Sequence, residues 1–85
     1  MIMPRTGANR RSMSDSDLRK VGKRLKEARK KAGLTQKQAG IAANVSGSAV
    51  VYYECGHMLP TIGRLVRLCR AYGISIDGLV EGLEL

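Results

Sequence analysis

Apolar residues recur at three- and four-residue intervals along most of the chain, and each run is bounded by residues that start and stop helices. Leu18, Val21, Leu25, Ala28 and Ala32 form one stripe, while Lys20, Lys23, Arg24, Lys26, Lys30 and Lys31 cover the remaining surface. This is the period of an amphipathic α-helix, and it predicts a first helix from about Asp15 to Ala32. Ser14 or Ser16 can accept hydrogen bonds from the first free backbone N–H groups. Asp15 and Asp17 suit the positive end of the helix dipole. Gly33 stops the helix, because glycine enters the left-handed region without steric penalty.

A second helix begins at Thr35. Thr35-Gln36-Lys37-Gln38 is a capping box, in which the Thr hydroxyl and the Gln38 amide satisfy reciprocal backbone donors. Leu34, just ahead of the cap, can pack on Ala39 as a hydrophobic staple. This helix ends near Ala43, and Asn44 suits a left-handed turn residue. The third helix starts after Ser46 and ends before Gly56, with Val50 and Tyr53 pointing inward, Val45 packing from the turn and Tyr52 facing out. After the loop Gly56-His57-Met58-Leu59-Pro60, Thr61 caps a fourth helix that runs to about Tyr72. Its expected buried face is Ile62, Leu65, Val66, Cys69 and Tyr72, and Gly73 ends it. Ser75 caps a short fifth helix from Ile76 to about Gly82, carrying Ile76, Leu79, Val80 and Leu83. The expectation is an all-α, compact five-helix domain over residues 14–85. Residues 1–13 have Pro4, Gly7, Asn9 and no helical period, and read as a flexible, disordered basic arm. Arg5, Arg10 and Arg11 could follow a phosphate backbone or enter a minor groove, or simply solvate an untethered tail.

Composition narrows this picture. With 85 residues, no Phe or Trp and three Tyr, the chain makes one small domain whose core is aliphatic. A single core of this size is marginal, so dimerisation would supplement it. No apolar run approaches the roughly 18 residues of a membrane span, and the N-terminus lacks the apolar stretch of a signal peptide. The expected location is therefore the cytoplasm, with Cys55 and Cys69 reduced.

The net charge of +8 is unevenly placed. Residues 1–33 hold eleven Lys/Arg against three acids, whereas residues 34–85 hold four of each. A surface this basic attracts polyanions, usually nucleic acid, although such runs can also merely solvate a helix face.

Other chemistry finds little support. Structural zinc takes four ligands, and Cys55, His57 and Cys69 are too few, with Cys69 on an apolar face. One His, no paired carboxylates and no Gly-rich phosphate loop argue against an enzyme, and nothing asks for a cofactor.

The segment from Arg29 to Val80 resembles the helix-turn-helix domain of the XRE/Cro family, the lambdoid phage repressor type. The matching residues are Arg29, Gly33-Leu34-Thr35-Gln36, Val45-Ser46, Glu54, Gly56, Pro60, Leu65, Leu68 and Gly73-Ile74-Ser75-Ile76-Asp77-Gly78-Leu79. The resemblance implies that the second helix positions the third, which enters the major groove of double-stranded DNA. It implies a phosphate and base contact for Gln36, with Lys37 beside it, and a recognition face of Ser46, Gly47, Ser48, Val51 and Tyr52. It also implies a partly buried structural ion pair between Arg29 and Glu54, and a homodimer contact near the fifth helix, Leu83 and Leu85. Where the family usually carries Arg, Lys, Gln or Asn, this face is small, neutral and partly apolar. Gly40 stands in place of a usual alanine, and Ala39 and Ala43 in place of leucines, which implies a less well filled second helix.

Two functions follow as expectations. The first is a repressor-like DNA-binding transcriptional regulator. The second is an antiactivator, or another protein-binding module on the same fold, that sequesters a transcription factor through Val51 and Tyr52.

Overall fold

The computed structural model describes residues 13–83. The proposed arm, except Met13, and the proposed dimer contact at Leu85 therefore lie outside the described residues. Met13 itself packs against the core.

The described residues form five helices in the expected order: α1 (Asp15–Lys31), α2 (Gln36–Ala43), α3 (Gly47–Glu54), α4 (Ile62–Tyr72) and α5 (Ile76–Val80). The start signals read from the sequence are all made. Ser14 rather than Ser16 caps α1, accepting from the Asp17 N–H at 3.1 Å. Thr35 and Gln38 form the reciprocal capping box of α2, at 3.0 and 2.9 Å. Ser46, Thr61 and Ser75 cap the remaining three. Asn44 closes α2 in the left-handed region, with φ 56°. Helix α5 is shorter than expected: Gly82, at φ +78°, lies beyond Glu81 rather than inside the helix.

The core consists of Val21, Leu25, Ala28, Ala39, Ala43, Val50, Tyr53, Leu65, Leu68, Cys69, Tyr72 and Leu79, with Leu34, Val45, Ile76, Val80 and Leu83 packed against it. Helix α2 lies against α3 and α4, and α1 crosses α3 while also meeting α4 and α5. Two expectations about helix faces are corrected. Ala32 is exposed, because α1 ends at Lys31 and Ala32 is its cap. Ile62 is 71% exposed and Leu68 takes the buried place. By period Ile62 belongs to the stripe, but it is the first residue of α4, and the buried face begins one turn later, at Leu65.

Two glycines set how closely the helices approach. A Cβ on Gly22 would lie 2.5 Å from the Tyr53 carbonyl oxygen and 2.7 Å from that of Glu54, so α1 rests directly on the last turn of α3. A Cβ on Gly40 would lie 2.7 Å from the Val45 carbonyl oxygen. The reading of Gly40, Ala39 and Ala43 as an underfilled helix is thus corrected. Both alanines are fully buried, and the small residues bring α2 into contact with the turn and the start of α3.

Arginines close several helix ends. Arg67 Nε donates to the Ala43 carbonyl at the end of α2, at 2.7 Å. Arg24 Nη1 donates to the Leu79 and Glu81 carbonyls at the end of α5, at 2.9 and 2.7 Å. These satisfy acceptors that a helix C-terminus leaves open. Arg24 is therefore a structural clamp and not one more solvated charge of α1.

Candidate nucleic-acid interface

The α2–turn–α3 unit is held by one polar node. Arg29 Nε and Nη2 donate to Glu54 Oε2 and Oε1 at 2.6 and 3.1 Å, a bidentate pair. Arg29 Nη1 also donates to the Leu34 carbonyl at 2.8 Å, and Gln36 Nε2 donates to Glu54 Oε1 at 3.1 Å. Both charged side chains are almost fully buried, at 8% and 3% exposed. One side chain of α1 thereby fixes the entry to α2 and the end of α3 together. The Arg29 guanidinium is held more firmly protonated than usual, chiefly by its hydrogen bonds to Glu54 and against the opposing effect of burial.

Tyr72 lies close enough to feel this node. Burial first, and the Glu54 charge second, push its phenol up to about 12. An unfolded tyrosine titrates near 10, so between those values the folded state holds a proton that the unfolded state has lost. Stability from Tyr72 is therefore complete below about pH 10 and falls as pH rises toward 12. Urea melts across this range should show a steeper alkaline loss for the wild-type chain than for Tyr72→Phe. Parallel curves would remove Tyr72 as the cause.

On the outer side, Lys37, Ser46, Ser48 and Tyr52 are exposed, and Gly47 and Val51 are half-buried. Val51 is thus less free than the sequence suggests. Gln36 is half-buried, with its amide nitrogen turned to Glu54. Lys37 and the start of α3 adjoin: the atom nearest a Cβ on Gly47 is Lys37 Cα, at 3.9 Å. The structure thus brings Lys37 beside the first residue of α3.

Two neighbours were not evident from sequence. Arg19, exposed on α1, lies against Gly56, where an added Cβ would come within 3.0 Å of Arg19 Cα. This puts a cation beside the end of α3. His57 meets Tyr52 edge to face, with ring centroids 5.7 Å apart. Nothing in local periodicity signals either contact, since both depend on how the loop after α3 folds back. Met58 and Leu59 in the loop after α3, Ile62 at the start of α4 and Ile41 on α2 are also exposed.

Elsewhere, a cleft of about 400 Å³ lies between α1, Tyr72 and α5. None of its lining residues belongs to α2 or α3. Cys69 is buried and Cys55 exposed. Among the described residues no group of three His, Cys, Asp or Glu side chains converges on a point, and no helix is long and apolar enough to cross a membrane.

Two helices joined by a three-residue turn, with the second presented outward, define a helix-turn-helix protein. A family profile described as "Helix-turn-helix domain" matches residues 20–81, more than half of the chain. The chain belongs to this family, in its XRE/Cro-type branch. It is 42% identical over 60 residues to the HTH-type transcriptional regulator ImmR of Bacillus subtilis (strain 168), covering 71% of this chain and 47% of that protein. It is 38% identical over 65 residues to the HTH-type transcriptional regulator PuuR of Escherichia coli (strain K12), covering 76% of this chain and 35% of the relative. It is also 34% identical over 58 residues to Multiprotein-bridging factor 1 of Candida albicans, covering 68% and 38% respectively. The chain thus spans less than half the length of each of these relatives.

Proposed function

We propose that this chain is a DNA-binding transcriptional regulator, acting in the cytoplasm, that lays α3 in the major groove of double-stranded DNA. The observation that carries this reading is the buried Arg29–Glu54–Gln36 node, which fixes α3 relative to α2 with its outer face free. Similarity to ImmR and PuuR, whose names describe transcriptional regulators, supports it. The face from Ser46 to Tyr52 has no cation, so affinity comes from backbone contacts around it. Lys37, Arg19 on α1 and the first N–H groups of α2 would supply those contacts to phosphates. The chain acts as a homodimer through α5, Leu83 and Leu85, reading two half-sites by symmetry. Ile76 and Val80, only half-buried on α5, support that surface.

Fluorescence anisotropy against duplex DNA at several salt concentrations tests the reading. Affinity should fall steeply with salt, and Lys37→Gln and Arg19→Gln should each lower the slope by about 1 with the fold intact. Binding that ignores both substitutions would place the DNA on another face.

A second reading has one observation of its own. Tyr52 on α3, Met58 and Leu59 in the loop after it and Ile62 at the start of α4 are all exposed large apolar side chains. A protein partner, such as a sequestered transcription factor, would cover them together with Val51. One relative's name, a multiprotein-bridging factor, describes assembly rather than base reading. Loss of a partner protein, but not of DNA, on Met58→Glu or Ile62→Glu would favour this reading.

A further inference from the structure

The cleft between α1, Tyr72 and α5 has a chemistry of its own. Three buried residues, Ala28, Tyr72 and Leu79, line it, and its apolar surface continues over half-buried Ile74 and exposed Ala32. Its volume of about 400 Å³ lies in the range of small-molecule sites. Two cations, Arg24 and Lys31, and one acid, Glu27, supply its charge. The balance is one positive charge, which complements a monoanion.

Arg24 narrows the choice of anion. Its Nη1 donates to the Leu79 and Glu81 carbonyls at 2.9 and 2.7 Å, which holds the guanidinium against the end of α5. A guanidinium has five N–H donors, and this clamp uses those on Nη1. Among the described residues nothing accepts from Nε or Nη2, and no ion pair joins Arg24 to Glu27. Nε and Nη2 are the adjacent pair of donors that can take both oxygens of one carboxylate. Because the group is already held, little freedom is lost when it binds.

Tyr72 connects the cleft to the node that fixes α3. It lines the cleft, and the charges of Glu54 and Arg29 both act on its phenol. Among the described residues no hydrogen bond holds its hydroxyl. Packing therefore sets the ring, and a molecule in the cleft adds to that packing. We propose that the cleft binds a small molecule with an apolar body and one carboxylate, held side-on by Nε and Nη2 of Arg24 with Lys31 assisting, and that Tyr72 passes its presence to the Arg29–Glu54 pair. No residue of α2 or α3 lines the site, so the inference does not depend on what α3 contacts.

Octanoate titrated into the full, ¹⁵N-labelled chain tests this by NMR. The Arg24 Nε–H signal and the Ile74 and Gly78 amides should move together and saturate, with a Kd that is roughly millimolar for a ligand of this size. Arg24→Lys should weaken binding about tenfold, the loss of one charge-assisted hydrogen bond. Arg24 also clamps α5, so a second variant, Ala32→Trp, fills the cleft from an exposed position and should abolish saturation with the fold intact. Octylammonium, the same chain with the opposite charge, should bind at least tenfold more weakly. The Arg29 Nε–H signal should follow the octanoate curve. Absence of saturable shifts at tens of millimolar octanoate overturns the site, as does an unchanged titration in Ala32→Trp. Equal binding of octylammonium overturns the carboxylate. A motionless Arg29 signal at saturation overturns the connection through Tyr72.

Discussion

Glu54→Ala is expected to destabilise the domain by about 3–5 kcal/mol, the range for breaking one side of a buried ion pair. The reason is what remains behind. Arg29 would keep its charge, almost buried, with only the Leu34 carbonyl still accepting from it. Gln36 would lose its partner as well. A domain of this size shifts its Tm by about 4–8 °C per kcal/mol, so a fall of about 15 °C or more is expected by circular dichroism. Glu54→Gln should lose less, since an amide oxygen can still accept from Arg29 or Gln36. Changing both partners, Arg29→Met with Glu54→Leu, should recover much of the loss, because no unpaired charge is then buried. An unchanged melt for Glu54→Ala would show that the node does not hold the fold.

The second large effect turns on a sign. Gly22→Ala at an exposed helix position would stabilise by roughly 1 kcal/mol through helix propensity. Here the new methyl would press on the Tyr53 and Glu54 carbonyls, at 2.5 and 2.7 Å. These are backbone atoms and cannot rotate away, so α1 or the end of α3 must move. Forced overpacking costs about 1–3 kcal/mol, on top of the propensity gain it cancels. The expected result is a net loss seen in urea melts, with an unchanged slope if the unfolded state is unaffected. A more stable Gly22→Ala variant would mean that the helices have room to part. The movement would also disturb the Arg29–Glu54 geometry, so any duplex DNA binding should weaken in parallel.

Both effects show where sequence reading stops. Caps and turns were legible because they are local: Ser14, Thr35, Gln38, Asn44 and Ser46 act within three or four residues of themselves. The apolar stripes were legible for the same reason, since period alone places Leu25, Val50 or Leu65. The stripe misled at Ile62 and Ala32 because period says which side a residue faces and not whether another helix extends that far. Arg29–Glu54 came through family resemblance and not through spacing. Neither Gln36 as its third member nor Arg24 and Arg67 as clamps on distant carbonyls had a local signal. Gly40 was misjudged by comparison with a usual alanine, because the distance to Val45 is a tertiary quantity.

The candidate interface divides in the same way. Its members from Lys37 to Tyr52 follow from the register of one helix-turn-helix. The contact of Arg19 with Gly56 and of His57 with Tyr52 follows from chain crossings.

By itself the sequence determined the five helices, the residues that cap their starts, most of the aliphatic core and the absence of charge on the α3 positions from Ser46 to Tyr52, because hydrogen-bond capping and helical period act over a few residues. Only the tertiary structure decided how closely the helices meet and which arginines are held by distant helix ends. It also decided what surrounds the α3 face, because those depend on backbone approaching backbone across long separations in the chain.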